Sequence, residues 1–494
     1  MKANLLSRFN RSIKDSSIYA ISSILNSGVS FLLLPILTTY YDPTEYGTYS
    51  IIVSISVIFG GFFYFGASSS YARYVYDNSS REHKSAVFSQ TVNISLLGGL
   101  FMILLAITFG NTISNYLFNS FKYYIHFILA ALGTASGFFV AILHIVLQFD
   151  KNPKKLLFIS FLAVLANFAI TYLLLVNYNY GILAPLVGIL ISNLIVTTYL
   201  FLNYYSLYDP FSKMYQISNF IRFGYHSSIG GILFYLVDYT DRLLINQILS
   251  TNDVGVYSLG YKLGFIINII LVLPFSQAWA PIRMEFLDDK RQYEFTSKII
   301  SYYFLAGVVV IFISSLFGKN IFDILFVNKD FSGYIKIFPI IMSSIFIYGI
   351  ITISNIGLYK EDKLKYQNLI MLVGLIINII LNYTFLEQYG IVAAAFSTLI
   401  SYSFIALLVT IISNRYLHVS IEKFRVFSLL IVMLLLISIN SFSSIFLDLS
   451  ITQKLIYSIL FFIMLFMFYI DTDEKKLLKK NFILQKHYKY MKRF

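Results

Sequence analysis

The chain has no cysteine, which excludes disulfides, thiolate metal centres and cysteine nucleophiles. It also has little charge. Asp, Glu, Lys and Arg make up 12% of its 494 residues, against roughly 25% in a soluble domain. That shortage excludes a soluble enzyme of two or three domains. His126, His144 and His226 stand singly on different apolar runs, and no His/Asp/Glu set has metal-ligand spacing. There is no Walker motif and no G-x-S-x-G nucleophile elbow. Alternating segments of about ten residues, the mark of a membrane β-barrel, are missing too.

What the chain has is hydrophobicity: 58% of residues are apolar and the mean hydropathy is +0.74. Fourteen apolar runs lie near 16–40, 46–66, 85–109, 123–148, 156–176, 181–204, 219–249, 254–281, 297–317, 332–357, 364–386, 389–412, 425–446 and 453–470. A bilayer is crossed by about 20 helical residues, so the pattern predicts an all-α polytopic membrane protein of fourteen transmembrane helices. The first run follows Lys2, Arg8, Arg11 and Lys14. It is too long for a cleaved signal and lacks a small-residue cleavage site, so it reads as an uncleaved first span.

The net charge of +13 follows from topology. With the N-terminus in the cytoplasm, 30 of the 37 Lys and Arg fall in cytoplasmic segments and only Lys122, Lys319, Lys329, Lys336 and Lys454 fall outside. Cytoplasmic loops carry such an excess, so both termini are expected in the cytoplasm of a multi-pass protein of the cytoplasmic (inner) membrane. The basic excess therefore calls for no nucleic acid. The tail 471–494 reads as a basic surface helix on anionic membrane lipid.

A repeat runs through the chain. Glu45-Tyr46-Gly47-Thr48-Tyr49-Ser50 and Asp253-Val254-Gly255-Val256-Tyr257-Ser258 share an acid, Gly, Tyr and Ser at an offset of 208. Tyr180-Gly181-Ile182-Leu183-Ala184 and Tyr389-Gly390-Ile391-Val392-Ala393 recur at 209, as do Lys151 and Lys154 with Lys360 and Lys363. The expected organisation is a six-helix bundle over 1–208, a second over 209–420, two appended helices over 421–470 and the basic tail 471–494. An even number of spans per unit makes the halves parallel, related by an axis along the membrane normal, a common plan for transporters.

The segment from Leu34 and Pro35 through Asp42-Pro43-Thr44-Glu45-Tyr46-Gly47 to Tyr49 resembles the opening of bacterial polysaccharide exporters of the O-antigen flippase type. These belong to the multidrug/oligosaccharidyl-lipid/polysaccharide (MOP) superfamily. Asp241-Arg242-Leu243-Leu244-Ile245, Asp253–Ser258 and Tyr261-Lys262-Leu263 resemble that family's seventh and eighth spans. The resemblance implies a non-enzymatic flippase for lipid-linked oligosaccharide, usually undecaprenyl-pyrophosphate linked, driven by an ion gradient through alternating access. It implies no cofactor, a coupling ion (Na+ or H+) and, as neighbours, other polysaccharide-assembly membrane proteins. A cation-coupled exporter of small molecules or a lipid II flippase is the alternative on the same fold. An integral-membrane polysaccharide polymerase or glycosyltransferase is the alternative of another class.

Ionisable residues inside spans cost about 2.5–3.5 kcal/mol each and mark function by default. Asp238, Asp241 and Arg242 share one helical face of the seventh run, with Asn246 a turn on, and Lys262 lies in the eighth. Arg242 and Lys262 are the substrate-binding candidates, as donors to a pyrophosphate. Asp238 and Asp241 are the ion-coupling candidates. The structural alternative is a pair of ion bridges, Asp238 to Arg242 and Asp241 to Lys262. Arg73, after the small-residue run Gly66–Ser70, is a candidate for receiving the lipid headgroup. Asn26, in the stripe Tyr19, Ser23, Asn26 and Ser30, is a candidate for sugar contact. Asn378 and Asn382, with Asn167 and Thr171 in the other half, read first as helix-packing pairs. Pro274 and Pro281 suggest a bend in the eighth run.

Overall fold

The computed structural model describes residues 31–78, 80–150, 152–212, 217–285, 292–325, 329–361, 363–417, 422–442 and 449–469. Among these residues every regular element is helical. The long helices are α1 Phe31–Tyr40, α2 Pro43–Phe63, α4 Arg81–Phe118, α5 Tyr124–Phe149, α6 Pro153–Tyr172 and α7 Leu183–Tyr204. Next come α8 Ile217–Ile248, α9 Thr251–Gly264, α10 Leu273–Glu285, α11 Gln292–Leu325 and α12 Tyr334–Ser354. The series ends with α14 Leu364–Tyr389, α15 Ile391–Ser413, α16 Lys423–Phe442 and α17 Ile451–Phe468. Short helices α3 Ala67–Tyr74 and α13 Ile356–Lys360 continue α2 and α12.

Each expected apolar run holds a helix, and ten helical segments are long and apolar enough to cross a membrane. The protein is a polytopic all-α membrane protein. Helix α8 has the length, 32 residues, but carries Arg222, His226, Asp238, Asp241 and Arg242, so its mean hydropathy is low. The core centres on α12, buried along nearly its whole length against α9, α11, α15 and α16.

The recurring motif has a physical reason at each position. Asp42 caps α2, with Pro43 in its first turn and Glu45 closing a capping box. Ser250 caps α9 by accepting from the Asp253 amide at 3.1 Å. The recurring acid is thus the third residue of each helix, beside the positive end of the dipole. The recurring glycine lets α2 and α9 touch. A Cβ on Gly47 would strike the Thr251 carbonyl, and one on Gly255 would strike the Pro43 carbonyl. One turn on, Ser50 Oγ and Ser258 Oγ lie 2.7 Å apart. In the second motif, Gly181 and Gly390 both take positive φ, 51° and 61°, which glycine adopts without a Cβ penalty.

The second run ends in a turn, and the eighth is interrupted, as its prolines suggested. After α2 the chain turns through Phe65 and Gly66, with φ of 51° and 60°. The turn aims α3 at α8, where Ser70 Oγ donates to the Phe220 carbonyl at 2.7 Å and Gly224 sits against Gly66. The eighth run ends its first helix at Gly264, passes through a π-helical turn, Asn268–Val272, and restarts as α10. Pro274 stands in the first turn of α10, where its missing N–H and ring break the ladder behind it. The bend therefore precedes Pro274, and Pro281 lies within α10.

Candidate functional site

Four helices bring a polar group into the apolar interior: α8 and α9, which run antiparallel, and the hairpin α14–α15. Asp238 is 5% exposed, Asp241 0% and Arg242 4%. An isolated buried carboxylate is costly unless hydrogen-bonded, and Asp241 is surrounded by donors. Tyr257 Oη and Thr398 Oγ1 both donate to Asp241 Oδ2 at 2.6 Å, and Asn382 Nδ2 donates to Oδ1 at 2.8 Å. Asn382 Nδ2 also lies 3.2 Å from Asn378 Oδ1. Asn382 Oδ1 is buried with no partner. Both asparagines, Thr398 and Tyr257 are fully buried.

One turn back on α8, Tyr261 Oη donates to Asp238 Oδ1. Tyr257 and Tyr261 are one turn apart on α9, as the acids are on α8, so the helices meet through two tyrosine–aspartate rungs. The Arg242 guanidinium lies between two rings, 4.7 Å from that of Tyr239 and 4.6 Å from that of Tyr261. Its Nη1 donates to the Asp238 carbonyl at 2.5 Å and its Nε has no partner. Lys262, next to Tyr261, presents an exposed side chain within electrostatic reach of Asp238 and Arg242.

The pairing of the structural alternative is not what the structure has. No ion pair links Asp238 to Arg242 or Asp241 to Lys262, the ion pairs at described residues being elsewhere. Uncharged donors hold the acids and aromatic faces hold the arginine. Asn246, on the same face, donates to the Leu117 carbonyl at 2.9 Å and accepts from Thr251 at 2.7 Å, so it ties α8 to the ends of α4 and α9. Asn378 and Asn382, expected as packing residues, join Asp241. Their counterparts Asn167 and Thr171 bond each other at 3.2 Å, and at the position 208 before Asp241 stands Leu33.

Arg73 lies apart. It is a half-exposed residue of α3, bonded to Asp77 at 3.0 Å and 5.5 Å from the Tyr74 ring. Asn26 and the rest of its stripe, like the basic tail 471–494, lie outside the described residues. His144 Nε2 sits 3.4 Å from Ser160 Oγ, and His226 Nδ1 2.8 Å from the Arg222 carbonyl. Among the described residues no group of three His, Cys, Asp or Glu could hold a metal. Sequence reasoning did not name Tyr239 or Thr398, and it noted Tyr257 and Tyr261 only within motifs, not as site residues.

Residues 12–287, more than half of the chain, match the family described as "Polysaccharide biosynthesis protein". An "Uncharacterized membrane protein" of Haemophilus influenzae is 26% identical over 341 residues, 66% of this chain and 79% of that protein. The "Lsg locus putative protein 1" of the same species is 26% identical over 289 residues, 56% of this chain and 67% of that protein. Among solved structures, the lipid II flippase MurJ in an inward closed conformation aligns with a TM-score of 0.65 at 16% identity, over 89% of this chain and 99% of that one. An inward-facing multidrug resistance MATE family transporter of the MOP superfamily aligns at 0.61 and 12% identity, over 84% and 95%. At these identities the likeness is one of fold.

Proposed function

The chain belongs to the polysaccharide biosynthesis protein family, and from that membership we propose that it flips lipid-linked oligosaccharide. The cargo is a repeat unit on undecaprenyl pyrophosphate, moved from the inner to the outer leaflet of the cytoplasmic membrane by ion-coupled alternating access. The observation that carries this reading is the charged group of α8 and α9. Basic residues inside membrane helices need an anion, and a pyrophosphate supplies one. Lys262, exposed, offers a point charge. Arg242 offers a fork matched to paired phosphate oxygens. Arg73 is assigned the first contact with the headgroup at the inner mouth, and Asn26 contact with sugar.

The coupling ion is assigned to Asp241. Hard cations bind carboxylate, amide and hydroxyl oxygens, and Asp241, Asn378, Asn382 and Thr398 supply all three. The unpartnered Asn382 Oδ1 is an acceptor awaiting such a ligand, which favours Na+ over H+. The mutual contact of Ser50 and Ser258, each the other's counterpart in the repeat, supports two parallel halves meeting on an axis along the membrane normal.

The test is a strain lacking its own flippase. This chain alone is expected to restore surface polysaccharide and clear the lipid-linked units stalled on the inner leaflet. Arg242→Ala and Lys262→Ala, present at wild-type protein levels, are expected to restore neither. Normal surface polysaccharide in both variants would overturn the assignment. Unchanged glycan with altered drug resistance would make the protein a small-molecule exporter instead.

A further inference from the structure

Tyr261 is the side chain that touches both halves of the charged group. Its hydroxyl donates to Asp238 and its ring faces the Arg242 guanidinium at 4.6 Å. Its ring also meets that of Tyr257 at 5.9 Å, and Tyr257 donates to Asp241. A continuous path of contacts therefore runs from the oxygens around Asp241, through Tyr257 and Tyr261, to the arginine. Tyr239 covers the other face of Arg242 at 4.7 Å, and no hydrogen bond links it to either acid. We propose that Tyr261 is the positioning residue that couples cation binding to recognition of the anionic headgroup.

The proposal rests on the flippase reading and extends it. A cation drawing on Asp241 withdraws that carboxylate from Tyr257 and changes the field at Asp238 one turn away. Tyr261 feels both changes, through its ring contact and through its hydroxyl. Because Arg242 is stacked on the same ring, a shift of Tyr261 alters how far the guanidinium is covered. In this structure it is nearly covered, 4% exposed, while Lys262 is open. Headgroup binding then has two stages: capture by Lys262, then engagement of Arg242 once the tyrosine moves. Two sites linked in this way must show reciprocal coupling, each ligand changing the other's affinity by one and the same factor.

The experiment uses the full chain in lipid nanodiscs, with undecaprenyl pyrophosphate as probe. Its affinity is measured in sodium and in choline at constant ionic strength. In the wild type, sodium is expected to change the affinity by about fivefold or more, the low end of allosteric factors. Tyr261→Phe keeps the ring and loses the hydroxyl. It is expected to bind the probe in choline within about twofold of wild type while the sodium effect falls to about unity. Tyr261→Met, which loses ring and hydroxyl and so uncovers that face of Arg242, is expected to lose the sodium effect and to bind at least as tightly as wild type in choline. A sodium effect of wild-type size in Tyr261→Phe or Tyr261→Met overturns the role of Tyr261 and leaves the flippase reading standing. A wild type that does not bind the probe overturns both. If Tyr261→Phe cannot be purified as a monodisperse protein, Tyr261→Met decides the matter by the same ratio.

Discussion

Asp241 shows why part of this site is legible in sequence and part is not. An acid in an apolar run is conspicuous because lipid offers it no partner. Asp238, Asp241, Arg242 and Lys262 therefore stand out. Their actual partners do not. Tyr257 and Tyr261 are two of 40 tyrosines, and Asn382 and Thr398 reach Asp241 across 141 and 157 residues of chain. Opposite charges at helical spacing suggested ion pairs, but buried hydroxyls and amides satisfy the carboxylates while aromatic faces take the buried arginine. The geometry separates charge from packing. In Asp241→Asn, the amide oxygen still accepts from Tyr257 and Thr398, and its NH2 finds the unpartnered Asn382 Oδ1 once that side chain turns over. Stability should stay within about 1 kcal/mol, while sodium-dependent export is lost. Asp241→Leu orphans the buried Tyr257 hydroxyl at about 1–3 kcal/mol, leaves Thr398 and Asn382 only acceptors on their own helices, and should melt lower. Thermal unfolding of the purified variants, set beside export in sodium and in choline, checks both. Wild-type export by Asp241→Asn would remove this carboxylate from coupling.

Among the elements, hydropathy located helices but not their interruptions. Apolarity is the same whether a backbone is α-helical, π-helical or turned through positive φ. Nothing in Phe65 announces a φ of 51°, and the π-helical turn Asn268–Val272 is as apolar as its neighbours. Pro274 did signal a break, although the bend lies before it. The recurring Gly47 and Gly255 were visible as a repeat, and their function emerges only from the contact of α2 with α9. Small residues at such crossings allow backbones to meet in lipid, where no hydrophobic force drives helices together. Two α-helical glycines make the contrast testable. A Cβ at Gly255 meets the Pro43 backbone, which cannot swing aside, whereas one at Gly231 meets nothing within 4 Å. Gly255→Ala should push α9 from α2, lower the melting temperature and stop export. Gly231→Ala should be as stable as wild type or gain up to about 1 kcal/mol from helix propensity. A Gly255→Ala protein as stable and active as wild type would show that the α2–α9 contact is dispensable.

At the scale of the whole molecule, the repeat and the charge bias together single out one contact for the proposed transport cycle. With the N-terminus in the cytoplasm, as the basic excess leads us to propose, the starts of α2 and α9 lie at the outer face. There Gly47 meets Thr251 and Gly255 meets Pro43, each pair exchanging into the other at the repeat offset. Ser50 meets its own counterpart Ser258 at 2.7 Å. A residue touches its symmetry mate only on the axis, so this contact sits where the two proposed halves close the outer side. Asn246 adds a bond from α8 to the end of α4 at the same end. Alternating access requires these contacts to part when the cargo is released outward. The absence of cysteine, which at first only excluded chemistry, makes the requirement testable without background thiols. Ser50→Cys with Ser258→Cys places two sulfurs where oxygens now touch, close to the roughly 2.05 Å of a disulfide. After oxidation the double variant should run as a cross-linked species on a non-reducing gel and export nothing. Reductant should restore export, and each single variant should work throughout. Export at the wild-type rate by protein shown to be cross-linked would mean that the outer ends of α2 and α9 stay together through the cycle, and that the cargo leaves by another route.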